Sequence, residues 1–173
     1  MTEEVWVEIP GTHSRYSVSN HGRVRNNDTD RILRQSNSVY TGPKVGFMID
    51  GIQKSRIVRN LVASCHVDGR NEVFDTAINL DGDKTNNHAT NLVWRPRWFA
   101  ISYSRQFLPD SVWAEWLDAG PVDNLTTEMR YKTVRECAIA EGLLAEELIV
   151  AAYNKAPCFP HQHHYRIRSS LSI

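Results

Sequence analysis

Cysteine is scarce in this 173-residue chain. There are three, Cys65, Cys137 and Cys158, far apart and with no CxxC pair, which argues against a disulfide framework and fits a reducing compartment. No apolar run approaches the roughly 20 residues a membrane helix needs, so no membrane partner is expected. The start, MTEEVWVEIP, lacks the basic-then-apolar order of a signal peptide, and a cytoplasmic location is the expectation. Net charge is absent too: 20 Lys and Arg balance 20 Asp and Glu, so no overall field draws the chain to a polyanion. What remains, 41% hydrophobic and 23% charged residues, is the composition of a folded domain and argues against disorder.

The charge is unevenly placed. Residues 1–60 hold nine Lys/Arg against six Asp/Glu, whereas residues 101–173 hold seven against nine. A solvated surface of mixed sign is one account of the basic front, and a polyanion-facing surface the other. The front also reads as short strands: Val5 to Ile9 alternates before the turn Pro10-Gly11, Tyr16 to Ser19 before Asn20-His21-Gly22. Arg23 and Arg25 flank Val24 on one strand face, because side chains alternate with period two. Lys44–Ile49 and Ser55–Val58 bracket Asp50-Gly51 as a hairpin. Arg59 to His66 has helical spacing, and Asp81-Gly82-Asp83 marks a turn. Asp110 to Ala119 suggests an amphipathic helix. Thr133 with Glu136 has capping-box spacing at the start of the first of two helices around Gly142.

Three stretches together carry a resemblance. VWVEIPG, YSVSNHGRVR and RILRQ, within Trp6 to Arg34, are similar to the small DNA-associated module at the front of many bacteriophage HNH homing endonucleases. IVRNLVASCHV and INLDGDKTNNHATNLVW, within Ile57 to Trp94, resemble the HNH core. Tyr131 to Arg168 resembles the helix-turn-helix repeat that follows such nucleases. The resemblance implies an α+β chain in small modules: a β-rich DNA-associated module at 1–56, a ββα-metal (HNH-like) core at 57–98, a linker with an amphipathic helix at 99–129, and a helix-turn-helix-like repeat at 130–173.

An HNH site hydrolyses a phosphodiester with a histidine general base and one divalent cation. In the family, a metal-binding Asp or Asn and the general-base His precede this segment; here the matching positions are Ile78 and Asn79. Isoleucine cannot coordinate a metal, and an amide accepts no proton near neutral pH. The asparagine that orients the histidine matches Asn87, a second metal ligand matches Asn91, and a further family histidine matches Arg59. His66 and His88 are the candidates for substitutes, with surface or loop histidines as the alternative. His161, His163 and His164 look like metal-ligand material but have no cysteine at zinc-site spacing. The expected DNA contacts are Arg23, Arg25, Arg31, Arg34, Lys44, Lys54, Arg56, Arg59, Arg95, Arg97 and Arg105, the last three interleaved with Trp94, Trp98 and Tyr103. Trp6 and Trp94 are expected in the core.

The sequence thus points to a double-stranded-DNA-binding protein of phage type, derived from an HNH homing endonuclease and expected to be catalytically inactive, acting in the host cytoplasm, with no catalytic residue, metal or cofactor assigned. Two alternatives stay open: a divergent active HNH endonuclease using a cation such as Mg2+, and a phage protein that binds a host protein, for which the acidic start of the last helix, Glu146-Glu147, leaves room.

Overall fold

The computed structural model describes residues 3–108, 111 and 114–168. The chain divides into two compact units, residues 1–97 and 98–173. Both mix short strands with helices, so the class is α+β. No helix among the described residues is long and apolar enough to cross a membrane.

In the first unit, β1 (Trp6–Glu8), β2 (Tyr16–Ser19), β3 (Val24–Asn26) and β4 (Arg31–Ile32) form an antiparallel meander. A second meander follows: β5 (Gln35–Ser38), β6 (Gly42–Ile49) and β7 (Ile52–Ile57). The β6–β7 link is the expected two-residue turn, with Asp50 at φ 52° and Gly51 at φ 75°, the doubly left-handed geometry that matches strand twist. Helix α1 (Val58–His66) buries Val58, Leu61, Val62 and Ala63 against strands of both meanders and against the hairpin β8 (Thr76–Asn79) and β9 (Leu92–Arg95). One core therefore joins Tyr16 and Val18 of the front strands to Val62 of α1 and Trp94 of β9. Each such buried aliphatic side chain contributes about 1.5–3 kcal/mol.

The hairpin is linked by a loop ending in a single 3-10 turn, Ala89–Asn91. Asn87 lies two residues before this turn.

Helix α2 (Arg97–Gln106) lies in the second unit but for its first residue, and α3 (Ala114–Leu117) follows it. The amphipathic helix expected at 110–119 is described only over α3; Asp110, Val112 and Trp113 lie outside the described residues. The segment 120–129, expected as a linker, instead contains β10 (Val122–Asn124), the central strand between β11 (Arg130–Tyr131) and β12 (Tyr165–Ile167). Its partners are supplied partly from more than 40 positions away, which no local pattern reveals. Helices α4 (Val134–Glu141) and α5 (Ala145–Asn154) complete the unit, and Gly142 between them is left-handed at φ 62°. Thr133 caps α4, its Oγ1 accepting from the Glu136 N–H at 3.1 Å, while the Glu136 carboxylate accepts from the Lys132 N–H at 2.5 Å. Thr133→Ala is expected to cost about 1 kcal/mol, measured as faster hydrogen exchange of the α4 amides.

Candidate functional site

The DGDK segment forms a self-bonded loop between β8 and β9. Asp81 accepts from the Asn91 side chain at 2.9 Å and from the Asn86 side chain at 2.6 Å, and also from the Asp83 backbone N–H at 2.9 Å. Asn91 in return accepts from the Asp81 N–H at 3.2 Å. Asp83 accepts from the Thr85 backbone and hydroxyl at 2.8 and 2.7 Å, which hold its carboxyl below the usual carboxylate range. These carboxylates and amides close the loop on itself.

Asn79 ends β8, 4% exposed. Its Nδ2 donates to the Asn86 carbonyl at 2.8 Å and to Asn87 Oδ1 at 3.2 Å, while its Oδ1 accepts from Arg59 Nη1 of α1 at 3.0 Å. The structure thus brings Arg59, Asn79 and Asn87 into one chain of hydrogen bonds, with Asn91 behind it in the Asp81 cluster. Ile78 is buried and pairs with Val93 across the hairpin. The front module supports the loop from the other side. Gly22, at φ 86°, lies so close that an added Cβ would stand 3.2 Å from both the side chain and the carbonyl of Asn87, and the Ala89 N–H donates to the Asn20 carbonyl at 2.7 Å.

This donor set does not suit a divalent cation. Mg2+ and its relatives want charged oxygens. Here Ile78 has no ligand atom, Asn79 and Asn87 are neutral amides already bonded to neighbours, and a guanidinium stands at hydrogen-bond distance. Among the described residues no three His, Cys, Asp or Glu side chains converge as a metal-holding group.

The two candidate substitute bases have other bonds. His66 Nε2 lies 3.0 Å from the Val18 carbonyl, which can only accept. His88 Nδ1 lies 2.8 Å from Thr90 Oγ1 and also accepts from the Thr90 N–H, so it caps the 3-10 turn; burial first, and then His21 with its ring 4.6 Å away, push its pKa down. In the second unit His161 bonds the Glu141 carbonyl at 2.9 Å and His163 lies 3.5 Å from the Glu141 carboxylate. His164 is exposed.

The expected DNA contacts are scattered in character. Arg23 and Arg25 do share a face, with their guanidinium carbons 5.6 and 4.6 Å from the ring centre of half-buried Trp6, which is therefore a shelf for arginines and no core residue. Both also meet acids: Arg23 bonds Glu4, and Arg25 lies 3.2 Å from Asp30. Arg31, Arg34 and Arg56 are exposed, as are Arg97 and Arg105; Lys44 and Lys54 are half-buried. Arg95 is corrected: it is 4% exposed and donates to the Trp94 carbonyl at 3.0 Å. Trp94 and Tyr103 are likewise buried, Trp94 donating to the Val67 carbonyl at 3.0 Å, which leaves Trp98, 54% exposed, as the one surface ring of that trio. Packing demand, invisible in a run of aromatic and basic letters, took the others inward.

Sequence reading missed a second arginine cluster. Arg130, Arg166 and Arg168 converge on the Asp123 carboxylate at 3.7, 3.3 and 2.6 Å. Hydrogen bonding from Arg168 above all holds Asp123 below its usual range. Three cations on one anion leave a positive surplus on this face of the sheet. The alternation Arg166-Ile167-Arg168 was the available signal; the pairing with Asp123 needed the register of β10 with both neighbours.

Residues 4–44 match the NUMOD4 motif. Over 98 residues, 53% of this chain, the sequence is 42% identical to an uncharacterized HNH endonuclease of Acanthamoeba polyphaga mimivirus. The match spans 23% of that relative's length, so the chain corresponds to less than a quarter of it. The fold is similar to that of the phage HNH homing endonuclease I-HmuI, a protein that binds and cleaves DNA, with a TM-score of 0.54, 95% of this chain and 98% of that one covered, at 23% identity. At that identity the likeness is one of fold. The chain thus carries a NUMOD4 motif at residues 4–44, is similar over 98 residues to an HNH endonuclease, and shares the fold of an HNH homing endonuclease.

Proposed function

We propose that this chain binds double-stranded DNA and does not hydrolyse it. One observation carries the reading: the Arg59–Asn79 hydrogen bond of 3.0 Å. By the family resemblance two histidines would stand at these positions. Instead a guanidinium that stays protonated faces an amide that takes no proton, so neither partner is a base. Loss of a general base alone lowers a rate by about 10² to 10⁴. The self-bonded Asp81–Asn91 loop and the seat of the front module against Asn87 support a scaffold kept for binding. The helix pair α4–α5 fits the helix-turn-helix reading as an αα turn through Gly142, but its second helix begins Glu146-Glu147, which phosphate repels. Base reading by that helix start is not part of the proposal.

The test joins two assays on the whole chain: cleavage of supercoiled DNA with magnesium or manganese, and duplex binding across a salt series. No cleavage is expected, with affinity falling steeply as salt rises. Cleavage by the purified chain, lost on His66→Ala or His88→Ala, would restore the active-nuclease reading. The salt series also separates the basic residues. Arg34, Lys54 and Arg56 have no carboxylate within 4.0 Å among the described residues. Neutralising these three with glutamine should lower the log–log slope by up to about 2.7, near 0.9 per phosphate released. Arg23 and Arg25, already balanced by Glu4 and Asp30, should lower it by less than one each.

A further inference from the structure

Among the described residues Arg59 is a charge without a counter-charge. It is half-buried on the first turn of α1, and among the described residues no carboxylate lies within 4.0 Å of it. Among the described residues its one side-chain hydrogen bond is from Nη1 to the neutral Asn79 amide, and its enclosed Nε–H finds no acceptor. Desolvation accordingly pulls its pKa down. The carboxylate of Asp81 in the loop is bonded instead to Asn86, Asn91 and the Asp83 N–H, and does not pair with Arg59. Nor does the helix start: its first turn holds no acid, and Ile57 gives no side-chain cap. Buried charges are normally paired, since an unpaired one bears the full loss of hydration. A guanidinium kept in this state is short of an oxyanion, and its geometry is made for one: planar, permanently charged and able to present two N–H groups to two oxygens.

We infer that Arg59 is the resident cation of this site, taking a phosphate oxygen directly where an HNH nuclease would use a metal ion. The inference rests on the DNA-binding reading for the source of that phosphate, a backbone phosphodiester; free inorganic phosphate offers the same chemistry. Asn79 holds the guanidinium in place through Nη1, and Asn87 holds Asn79. The side chains in this set neither take up nor release a proton at neutral pH, so a phosphodiester held here meets no base. Two consequences follow: DNA binding needs no divalent ion, and one of the phosphate contacts belongs to Arg59.

Three measurements on the full chain test this. The first is duplex binding in EDTA and in magnesium at matched ionic strength, expected to be equal. The second is the salt slope of Arg59→Gln, expected to be lower by about 0.9, with affinity reduced about ten- to a hundredfold, while Arg59→Lys keeps the slope as a point charge. The third is the Arg59 Nε–H resonance, assigned by its loss in Arg59→Lys and expected to move when inorganic phosphate is added. Wild-type binding that vanishes in EDTA overturns the inference. So does an unchanged slope in folded Arg59→Gln, and in either case the DNA-binding reading survives. If wild type binds no DNA but the resonance moves with phosphate, the DNA reading fails and the anion site stands with free phosphate as its ligand. A resonance indifferent to phosphate, in a chain that binds no DNA, removes both. Should Arg59→Gln fail to fold, the Arg59→Lys slope and the wild-type phosphate titration decide: a slope lowered by Arg59→Lys or a static resonance counts against the inference.

Discussion

Replacing three residues at once, Arg59→His, Ile78→Asp and Asn79→His, is expected to give a chain that binds manganese at this site, and the wild type is expected to bind none there. The double variant Ile78→Asp, Asn79→His should not suffice. It leaves the Arg59 guanidinium beside position 79, and a dication about 5 Å from a unit positive charge is repelled by roughly 7 kcal/mol at an effective dielectric near 20. Removing that charge matters as much as adding ligands. The readout is thermal stability with and without metal: free manganese at ten times its Kd adds about 1.4 kcal/mol to the folded state. An aspartate in the buried place of Ile78 should also make the metal-free triple variant less stable than wild type, because an unpaired carboxylate loses hydration there. Nicking of supercoiled DNA could gain about 10² to 10⁴ from the restored base. Equal stabilisation of the double and triple variants by manganese would show that Arg59 does not guard the site.

The second large effect is expected far from that loop. Glu141, at the end of α4, is the hub of the second unit: its carboxylate accepts from the Tyr131 hydroxyl at 2.7 Å, from the Asn124 amide at 2.8 Å and from the Tyr165 hydroxyl, with His163 Nδ1 at 3.5 Å. Burial alone would raise its pKa; the hydrogen bonds from Tyr165, Asn124 and Tyr131, with His163, outweigh that and hold it below the usual range. The same carboxylate, together with burial as the larger cause, pushes the Tyr131 and Tyr165 hydroxyls up. Glu141→Ala strands those donors in a half-buried space and should cost roughly 3 kcal/mol or more, read as loss of hydrogen-exchange protection across α4 and α5. The pH dependence has a definite sign. A depressed folded-state pKa means that the contribution is complete above the ordinary carboxylate value, about 4.3, and is lost as pH falls through the lower folded value. Glu141→Gln should flatten stability in that acid window. An Ala variant as well protected as wild type would remove Glu141 from this role.

Local chemistry made part of this legible. The Asp50-Gly51 turn, the Thr133 cap and the left-handed Gly142 are set by residues within four positions of each other, where backbone sterics and short hydrogen bonds decide the outcome. Arg23 and Arg25 were placed on one face by the strand period alone, though not their shared seat on Trp6 or their acid partners. Other features needed partners distant in the chain. Leu144 offers α5 no side-chain cap, and the buried Gln106 supplies it instead, accepting from the Ala145 N–H at 2.8 Å. The three thiols illustrate the same limit: their spacing argued against disulfides, but only packing revealed that burial raises the pKa of each.

The sequence by itself determined the identity of the loop, since DGDKTNN closes through bonds among its own side chains, and it determined that Ile78 supplies no metal ligand and Asn79 no base near neutral pH, since that follows from side-chain chemistry in any fold. Only the tertiary structure decided what stands there instead. Arg59 and Asn79 are 20 residues apart, on a helix and a strand brought together by burial of Val58, Leu61 and Val62. It likewise decided which arginines face water: Arg95 and Arg97 differ by two letters, yet one is enclosed and the other exposed. A side chain's charge is fixed by its chemistry, but its hydration and its partners depend on which distant segments the core draws around it.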